Sequence, residues 1–205
     1  MDRRLTDTIA AYDEVATEYQ EHWRARRPLA AIRRFADMVG RGGRVIDVAC
    51  GPALDVRLLR DAGLAVVAGD LSQESMRVGH TLFPKGALAC WDFRRLPFSD
   101  DMFDGVWAPA ALQHLPRGHM RRGLAELRRV QRRGPVMLSF REGSGDLEPV
   151  RDPPAGTVYA TTLTADELKA LLLGAGYGQV QVQRRPDPLE RPEVTWLYGW
   201  GRMDA

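Results

Sequence analysis

Hydrophobic residues follow two patterns that alternate from one segment of this chain to the next. Short apolar runs rich in branched side chains predict buried strands, and apolar positions three and four residues apart predict amphipathic helices. The predicted strands cover residues 44–49, 65–70, 87–92, 103–108, 135–140, 178–184 and 194–200. The predicted helices cover residues 6–26, 29–39, 55–62, 73–82, 118–130 and 164–174.

Strand and helix alternate over most of the chain, which is typical of a parallel sheet with helices on both faces. No helix separates the last two strands, so we expect them to pair as an antiparallel hairpin. The sequence therefore predicts an α/β fold with a doubly wound, seven-stranded, mostly parallel sheet and an antiparallel C-terminal hairpin. Residues 143–161 are rich in Gly, Pro and charge, which predicts an active-site loop.

The size and charge of the chain narrow the function classes. Its 205 residues predict one domain, 1–205. The 29 basic and 27 acidic residues give a net charge of +2, which provides no general attraction to nucleic acid or anionic membranes. The arginine clusters at 24–27 and 128–133 are interpreted as solvated helix faces or ends, because no stacking aromatics accompany them.

The N-terminus is polar, and no apolar run approaches the ~20 residues that a membrane-spanning helix needs. We therefore expect a cytoplasmic monomer or homodimer with a small-molecule partner and neither a nucleic-acid nor a membrane partner.

Cys50 and Cys90 lie in apolar strand contexts without a cluster of His or Cys ligands. This pattern predicts buried free thiols and no metal site.

The candidate ligand-binding residues lie where the predicted strands end, because open α/β sheets bind ligands at the carboxyl ends of their strands. A turn of small residues, 49–53, follows the first strand, and Asp47 is placed to orient it by accepting backbone N–H bonds. Asp70 ends the second strand and is suited to bind both hydroxyls of a ribose. Asp92 ends the third and is placed to accept from an adenine amino group. Each aspartate alone is also compatible with a turn or cap, but the near-equal spacing predicts that the three share one rim of the sheet.

The motifs at these strand ends, and their order along the chain, resemble those of class I S-adenosylmethionine-dependent methyltransferases that act on small molecules. Residues 45–53 are similar to the family's first motif, an acidic residue followed by small residues. Residues 69–72, 91–98 and 103–115 are similar to the second, third and fourth motifs, and 12–19 to an N-terminal helix that often covers the cofactor. The resemblance implies a Rossmann-like fold and S-adenosylmethionine as the cofactor.

The resemblance also implies the roles of individual residues. His114 follows the fourth strand in a segment that the family places near the methyl group, so it is expected to act as a general base or to orient the acceptor. A structural histidine bonded to a loop carbonyl is the alternative. The expected cofactor-binding residues are Tyr19, Asp47, Ala49, Cys50, Gly51, Asp70, Leu71, Asp92, Phe93, Ala108 and Gln113.

The acceptor is expected to be a small organic molecule, with a secondary metabolite suggested by analogy alone. Within the single domain, residues 1–40 are predicted to form lid helices, 41–142 the cofactor-binding half, and 143–205 the acceptor loop and the C-terminal hairpin. His22 would reach the acceptor only if its helix is a lid. The side chains expected to border the acceptor pocket are Trp23, Phe140, Arg141 and Tyr159.

Two alanines depart from the family pattern. Ala49 and Ala53 stand where glycine is usual, and alanine disfavours positive φ and places a methyl beside the ligand. A relative that binds the cofactor without methylating, as a cyclisation catalyst or a binding protein, therefore stays open as an alternative. An NAD-linked oxidoreductase would share the ribose carboxylate but is disfavoured, because the turn lacks the Gly-x-Gly-x-x-Gly fingerprint.

Overall fold

The structure, a computed structural model, describes residues 2–84 and 86–203. A 3₁₀ turn covers Leu112–His114. The helices in the described part are α1 (Arg3–Glu14), α2 (Ala16–Trp23), α3 (Leu29–Val39), α4 (Leu54–Asp61), α5 (Gln73–Leu82), α6 (Arg117–Val130) and α7 (Ala165–Gly174). The strands are β1 (Arg44–Asp47), β2 (Ala65–Asp70), β3 (Ala87–Cys90), β4 (Gly105–Pro109), β5 (Gly134–Arg141), β6 (Glu148–Arg151), β7 (Thr157–Ala160), β8 (Gly178–Pro186) and β9 (Thr195–Met203).

Seven of these strands form one sheet in the order β3-β2-β1-β4-β5-β9-β8. The first five in that order are parallel, with Asp47 of β1 beside Ala68 of β2 and Trp107 of β4. β9 runs antiparallel between β5 and β8. The predicted sheet and C-terminal hairpin are thus confirmed. The strand order reverses between β1 and β4, and such a switch point leaves a crevice at the carboxyl ends of the strands.

The sheet separates two hydrophobic clusters, because successive side chains of a strand point to opposite faces. Val106 of β4 packs into the cluster that includes residues of α6 and α7. Its neighbour Trp107 packs into the cluster that includes residues of α3, α4 and α5. Helices therefore cover both faces, which explains why these strands appear in the sequence as continuous apolar runs without a polar face.

The predicted helix over residues 6–26 is two helices. Val15 breaks it with φ −118° and ψ 15°, so α1 ends at Glu14 and α2 starts at Ala16. The break allows α1 to contact both β7 and α5 while α2 contacts α5. The apolar spacing continues through the break, so the sequence pattern alone predicts one helix.

The segment predicted as a loop, 143–161, contains the antiparallel hairpin β6–β7, in which Glu148 pairs with Ala160. Proline and charged residues hide the strand pattern of β6. Tertiary contact supports the hairpin, since the backbone N–H of Tyr159 donates to Thr8 Oγ1 of α1 at 3.0 Å. Context thus overrides local propensity here.

Local capping signals are confirmed elsewhere. Thr164 and Glu167 form the predicted capping box at the start of α7, and Ser72 caps α5. Among the described residues we find no helix with the length and apolar character needed to cross a lipid bilayer.

Candidate functional site

A cavity lies at the carboxyl ends of the central strands, beneath a roof formed by α1 and α2. The atom-free space of the cavity and of the open solvent at its mouth is together about 1400 Å³. Two of the predicted site residues, Asp92 and Ala108, are not part of its lining. The predicted site residues that line it are Tyr19, Asp47, Ala49, Cys50, Gly51, Asp70, Leu71, Phe93, Gln113 and His114.

The turn after β1 brings bare backbone to the cavity. Gly51 has φ +52°, and a Cβ at this position would meet no protein atom within 4 Å. Ala53 adopts φ +61°, a conformation that alanine does not favour. Its methyl is fully buried near Gly79 of α5, so packing offsets part of the conformational cost. The turn therefore adopts at position 53 a backbone conformation that glycine favours, although the residue is alanine.

Asp70 connects the end of β2 to this turn. Its Oδ2 accepts from the backbone N–H of Gly51 at 2.8 Å, and its Oδ1 accepts from the backbone N–H of Ser72 at 2.9 Å. Burial raises the pKa of Asp70, and the two backbone N–H donors oppose that shift. Each carboxylate oxygen retains a second lone pair, so Asp70 can still accept hydrogen bonds from a ligand.

Asp47 differs from its predicted role. It is only 1% exposed, and neither carboxyl oxygen has a hydrogen-bond partner among the described residues, so it does not orient the turn through backbone N–H groups. Burial raises the pKa of Asp47 well above its usual range, and the nearby carboxylate of Asp55 adds to the shift. Asp47 is therefore a buried acceptor that faces the cavity without a donor.

Asp47, Asp70 and Asp92 follow the predicted rim, at or just beyond the carboxyl ends of β1, β2 and β3, but only Asp47 and Asp70 line the cavity. The Asp92 carboxylate accepts from Arg94 Nε at 2.8 Å and from the Arg94 backbone N–H at 2.9 Å, and it lies outside the cavity lining. The ion pair lowers the pKa of Asp92 in spite of partial burial. Ala108 is also outside the lining, because it is buried within β4, while the next residues, 109–111, reach the cavity.

His114 is held in one tautomer by the hairpin. Its Nδ1 lies 2.8 Å from the carbonyl oxygen of Tyr159 in β7. A carbonyl oxygen only accepts, so Nδ1 carries the hydrogen and Nε2 keeps its lone pair. Burial lowers the pKa of His114. The bond to a loop carbonyl that was the structural alternative is present, and it leaves the second ring nitrogen available as a base.

The roof is fastened to the hairpin by polar contacts between distant parts of the chain. Tyr12 of α1 donates from its hydroxyl to Asp152 Oδ2 at 2.9 Å. Trp23 of α2 donates from Nε1 to the carbonyl oxygen of Pro153 at 3.2 Å. Asp152 also accepts from buried Arg141, whose Nη2 lies 2.6 Å from Asp152 Oδ1. The N-terminal helices and the hairpin therefore enclose one side of the cavity together.

A buried ion pair in the lining was missed by the sequence interpretation. Arg27 Nε lies 2.8 Å from Asp55 Oδ1, and Trp107 Nε1 donates to Asp55 Oδ2 at 3.0 Å. The sequence places Arg27 in a cluster interpreted as solvated, and this interpretation is wrong for Arg27. No local signal separates it from Arg24 or Arg26, because only the fold brings Asp55 opposite.

Of the four side chains expected to border the acceptor pocket, one lines the cavity. Trp23 lines the cavity, whereas Phe140 is fully buried in the core. Arg141 and Tyr159 act from behind the lining through Asp152 and His114. His22 does not line the cavity, and its ring meets the Trp23 ring edge to face with centroids 5.4 Å apart.

Both cysteines are free thiols, as predicted. Cys50 is half-buried in the turn, but Cys90 is exposed at the end of the edge strand β3, which corrects the expectation of burial. In the described part of the chain, no group of three or more His, Cys, Asp or Glu side chains is arranged to hold a metal ion.

Comparison with known proteins adds family information to this geometry. Residues 45–134 match a methyltransferase domain. The demethylmenaquinone methyltransferase of Renibacterium salmoninarum is 32% identical over 147 residues, 65% of this chain and 58% of that protein. The malonyl-[acyl-carrier protein] O-methyltransferase of Pseudescherichia vulneris is 28% identical over 173 residues, 83% of this chain and 68% of that protein. The chain thus matches less than two thirds of the first relative's length.

A solved structure has a similar fold. The 1,6-didemethyltoxoflavin-N1-methyltransferase of Burkholderia thailandensis, with bound 1,6-didemethyltoxoflavin and S-adenosylhomocysteine, superposes with a TM-score of 0.76. The match covers 98% of this chain and 88% of that chain at 22% identity. At this identity the similarity establishes the shared fold.

Proposed function

We propose that this chain, which matches a methyltransferase domain over residues 45–134, is a class I S-adenosylmethionine-dependent methyltransferase. From this premise we propose that it transfers a methyl group from S-adenosylmethionine to an oxygen or nitrogen of a small organic acceptor. The observation that carries the proposal is Asp47, a buried carboxyl group that lines the cavity without a donor. Such a group is costly unless a ligand supplies the missing donor. The α-ammonium group of the cofactor would be that donor.

The rest of the cofactor half fits an adenosyl group. Gly51 leaves space that a side chain would fill. Asp70 is held by two backbone N–H groups and would accept from the ribose hydroxyls. Leu71 and Phe93 line the cavity after β2 and β3, where the adenine would lie. Tyr19 and Gln113 would flank the methionine end, and the Gln113 Oε1 has no partner among the described residues.

When bound, S-adenosylmethionine supplies an electrophilic methyl group on a positively charged sulfur. The contribution of the chain is to hold the acceptor in line with that group and to remove the acceptor's proton. The His114 Nε2 lone pair would accept this proton, because Nδ1 is committed to Tyr159. The acceptor would gain the methyl group and lose this proton to His114, and neutral S-adenosylhomocysteine would leave.

Calorimetric titration with S-adenosylhomocysteine tests the cofactor site. We expect a dissociation constant in the micromolar range, about −8 kcal/mol. The Asp70→Ala variant should bind about 100-fold more weakly or not at all, because charge-assisted bonds are lost. The matched control is Asp92→Ala, whose carboxylate is engaged by Arg94, and it should bind like the wild type. No heat of binding with the wild type would reject the proposed cofactor.

Incubation with methyl-labelled cofactor and a panel of hydroxyl- and amino-bearing acceptors tests the transfer itself. Label in the acceptor supports the proposal. If the protein binds S-adenosylhomocysteine but labels no acceptor in the panel, the result favours a cofactor-binding relative that does not methylate.

A further inference from the structure

Aromatic side chains dominate the side of the cavity enclosed by the roof. Tyr12 and Tyr19 meet edge to face with ring centroids 5.4 Å apart, and Tyr19 and Trp23 are 5.9 Å apart. The Tyr12 ring also meets the His114 ring edge to face at 5.8 Å. Trp196 of β9 is a further aromatic residue in the lining. We call Tyr12, Tyr19, Trp23, His114 and Trp196 the aromatic wall; it offers ring surface suited to a flat partner.

The charges around the aromatic wall disfavour anions. Four carboxyl groups but only two guanidinium groups line the cavity. Of these cations, Arg27 is already paired with Asp55, and exposed Arg26 donates to the carbonyl oxygen of His22. Buried Arg141 stands behind the lining and is neutralised by Asp152. Among the described residues, therefore, no buried cation in the lining is available to pair with an acidic acceptor.

Two polar side chains of the aromatic wall, His114 and Tyr12, are neutral. His114 offers the Nε2 lone pair, which requires a donor. The Tyr12 hydroxyl donates its hydrogen to Asp152, so Tyr12 contributes only its ring to the cavity lining. An acceptor that presents an O–H or N–H would satisfy the histidine and supply the proton that the reaction must release.

Resting on the proposed methyl transfer, we propose that the acceptor is an uncharged, planar aromatic molecule that presents one O–H or N–H to His114, and that the site rejects acceptors bearing a carboxylate or phosphate. The flat ring would pack against the aromatic wall. An anion would lose its hydration and find no unpaired buried cation, because Arg27 and Arg141 are already paired with Asp55 and Asp152.

Three probes of similar size test the proposal: 2-naphthol, 2-naphthoate and decahydro-2-naphthol. Each is titrated at neutral pH into protein saturated with S-adenosylhomocysteine, and binding is followed by calorimetry. We expect 2-naphthol to bind at least about tenfold more tightly than 2-naphthoate, because of the buried charge, and than decahydro-2-naphthol, because of the lost ring contacts. Equal or tighter binding by either competitor, or no binding by 2-naphthol, overturns the proposal.

A variant of Asp152 tests how charge near the cavity affects the binding of anions. Asp152→Asn keeps the shape of the side chain but leaves Arg141 without its counter-charge. This variant should bind 2-naphthoate about tenfold more tightly than the wild type does, so that the preference for 2-naphthol over 2-naphthoate becomes smaller. The matched control, Asp104→Asn, breaks an ion pair with Arg132 at the amino end of β4 and should change neither affinity. Unchanged 2-naphthoate binding in folded Asp152→Asn would contradict the charge argument.

Different results would reject the proposed methyl transfer and the proposed acceptor class. If S-adenosylhomocysteine does not bind, the proposed function fails. If it binds but the ranking of the probes is reversed, only the acceptor class is wrong. Circular dichroism shows whether Asp152→Asn folds, and the wild-type ranking decides the acceptor class whether or not it does.

Discussion

The Nδ1 nitrogen of His114 lies 2.8 Å from the carbonyl oxygen of Tyr159, 45 residues further along the chain. This hydrogen bond fixes where the imidazole carries its hydrogen. The β6–β7 hairpin therefore sets the tautomer of a side chain that follows β4. Because burial lowers the pKa of His114, the ring is neutral and able to accept a proton at neutral pH.

This arrangement predicts the pH dependence of methyl transfer. The rate should rise as pH increases through the pKa of His114, because only the neutral ring accepts a proton, and the midpoint should lie below 6.5. His114→Gln should lower kcat by about 100-fold and abolish this limb of the profile. The measurement is kcat/KM from pH 5 to pH 9, at roughly half-unit steps. His119→Gln, at an exposed position on α6, is the control. A limb that persists in His114→Gln would exclude His114 as its source.

Asp47→Asn should affect stability and binding in opposite directions. The raised pKa of Asp47 means that, above pH 3.8, the folded state holds a proton that the unfolded chain has lost. The free energy of unfolding therefore falls as pH rises through this window, and the amide removes that loss. At pH 8 we expect the variant to be more stable by about 1 kcal/mol, with S-adenosylhomocysteine affinity reduced about tenfold.

Urea denaturation at several pH values and calorimetry measure the two effects of Asp47→Asn. The control Asp61→Asn alters an exposed aspartate of α4 and should leave the free energy of unfolding and the S-adenosylhomocysteine affinity unchanged. A less stable Asp47→Asn variant with unchanged affinity would show that Asp47 has only a structural role.

Gly51→Ala should impair binding more than folding. A Cβ at Gly51 meets no protein atom within 4 Å, so the cost to the fold is that of a positive φ, about 1–2 kcal/mol. Gly176, after α7, also has a positive φ and open space around its Cβ position, so Gly176→Ala should cost a similar amount. Only Gly51→Ala should weaken S-adenosylhomocysteine binding, by about tenfold or more, because its methyl enters the cavity. Equal affinities of the two variants would place the ligand away from Gly51.

Arg27→Met should destabilise the protein by about 3 kcal/mol, because it leaves the buried Asp55 carboxylate without its cation. The control Arg57→Met breaks an exposed pair with Asp61 and should unfold at nearly the wild-type urea concentration. Equal midpoints for the two variants would mean that Asp55 finds another partner or takes up a proton. Urea denaturation followed by circular dichroism makes the comparison.

The sequence by itself determined the sheet, the helices that cover it and the placement of Asp70 at the end of β2. These features follow from short-range patterns: apolar runs, helical spacing, and small residues or caps at the ends of elements. Local backbone preferences and the burial of one face act over a few neighbouring residues, so they can be recognised without knowing the fold. For the same reason the capping box of α7 was predicted correctly.

Only the tertiary structure decided which polar groups have hydrogen-bond partners within the protein and which face the cavity without one. Asp92 turns to Arg94, Asp47 keeps no partner in the described chain, and Tyr12 meets Asp152 across 140 residues. Such pairings depend on distances between elements far apart in sequence, and neither composition nor spacing encodes those distances. The break at Val15 and the β6–β7 hairpin are of the same kind, because contact between α1 and β7 accompanies them and overrides the local pattern.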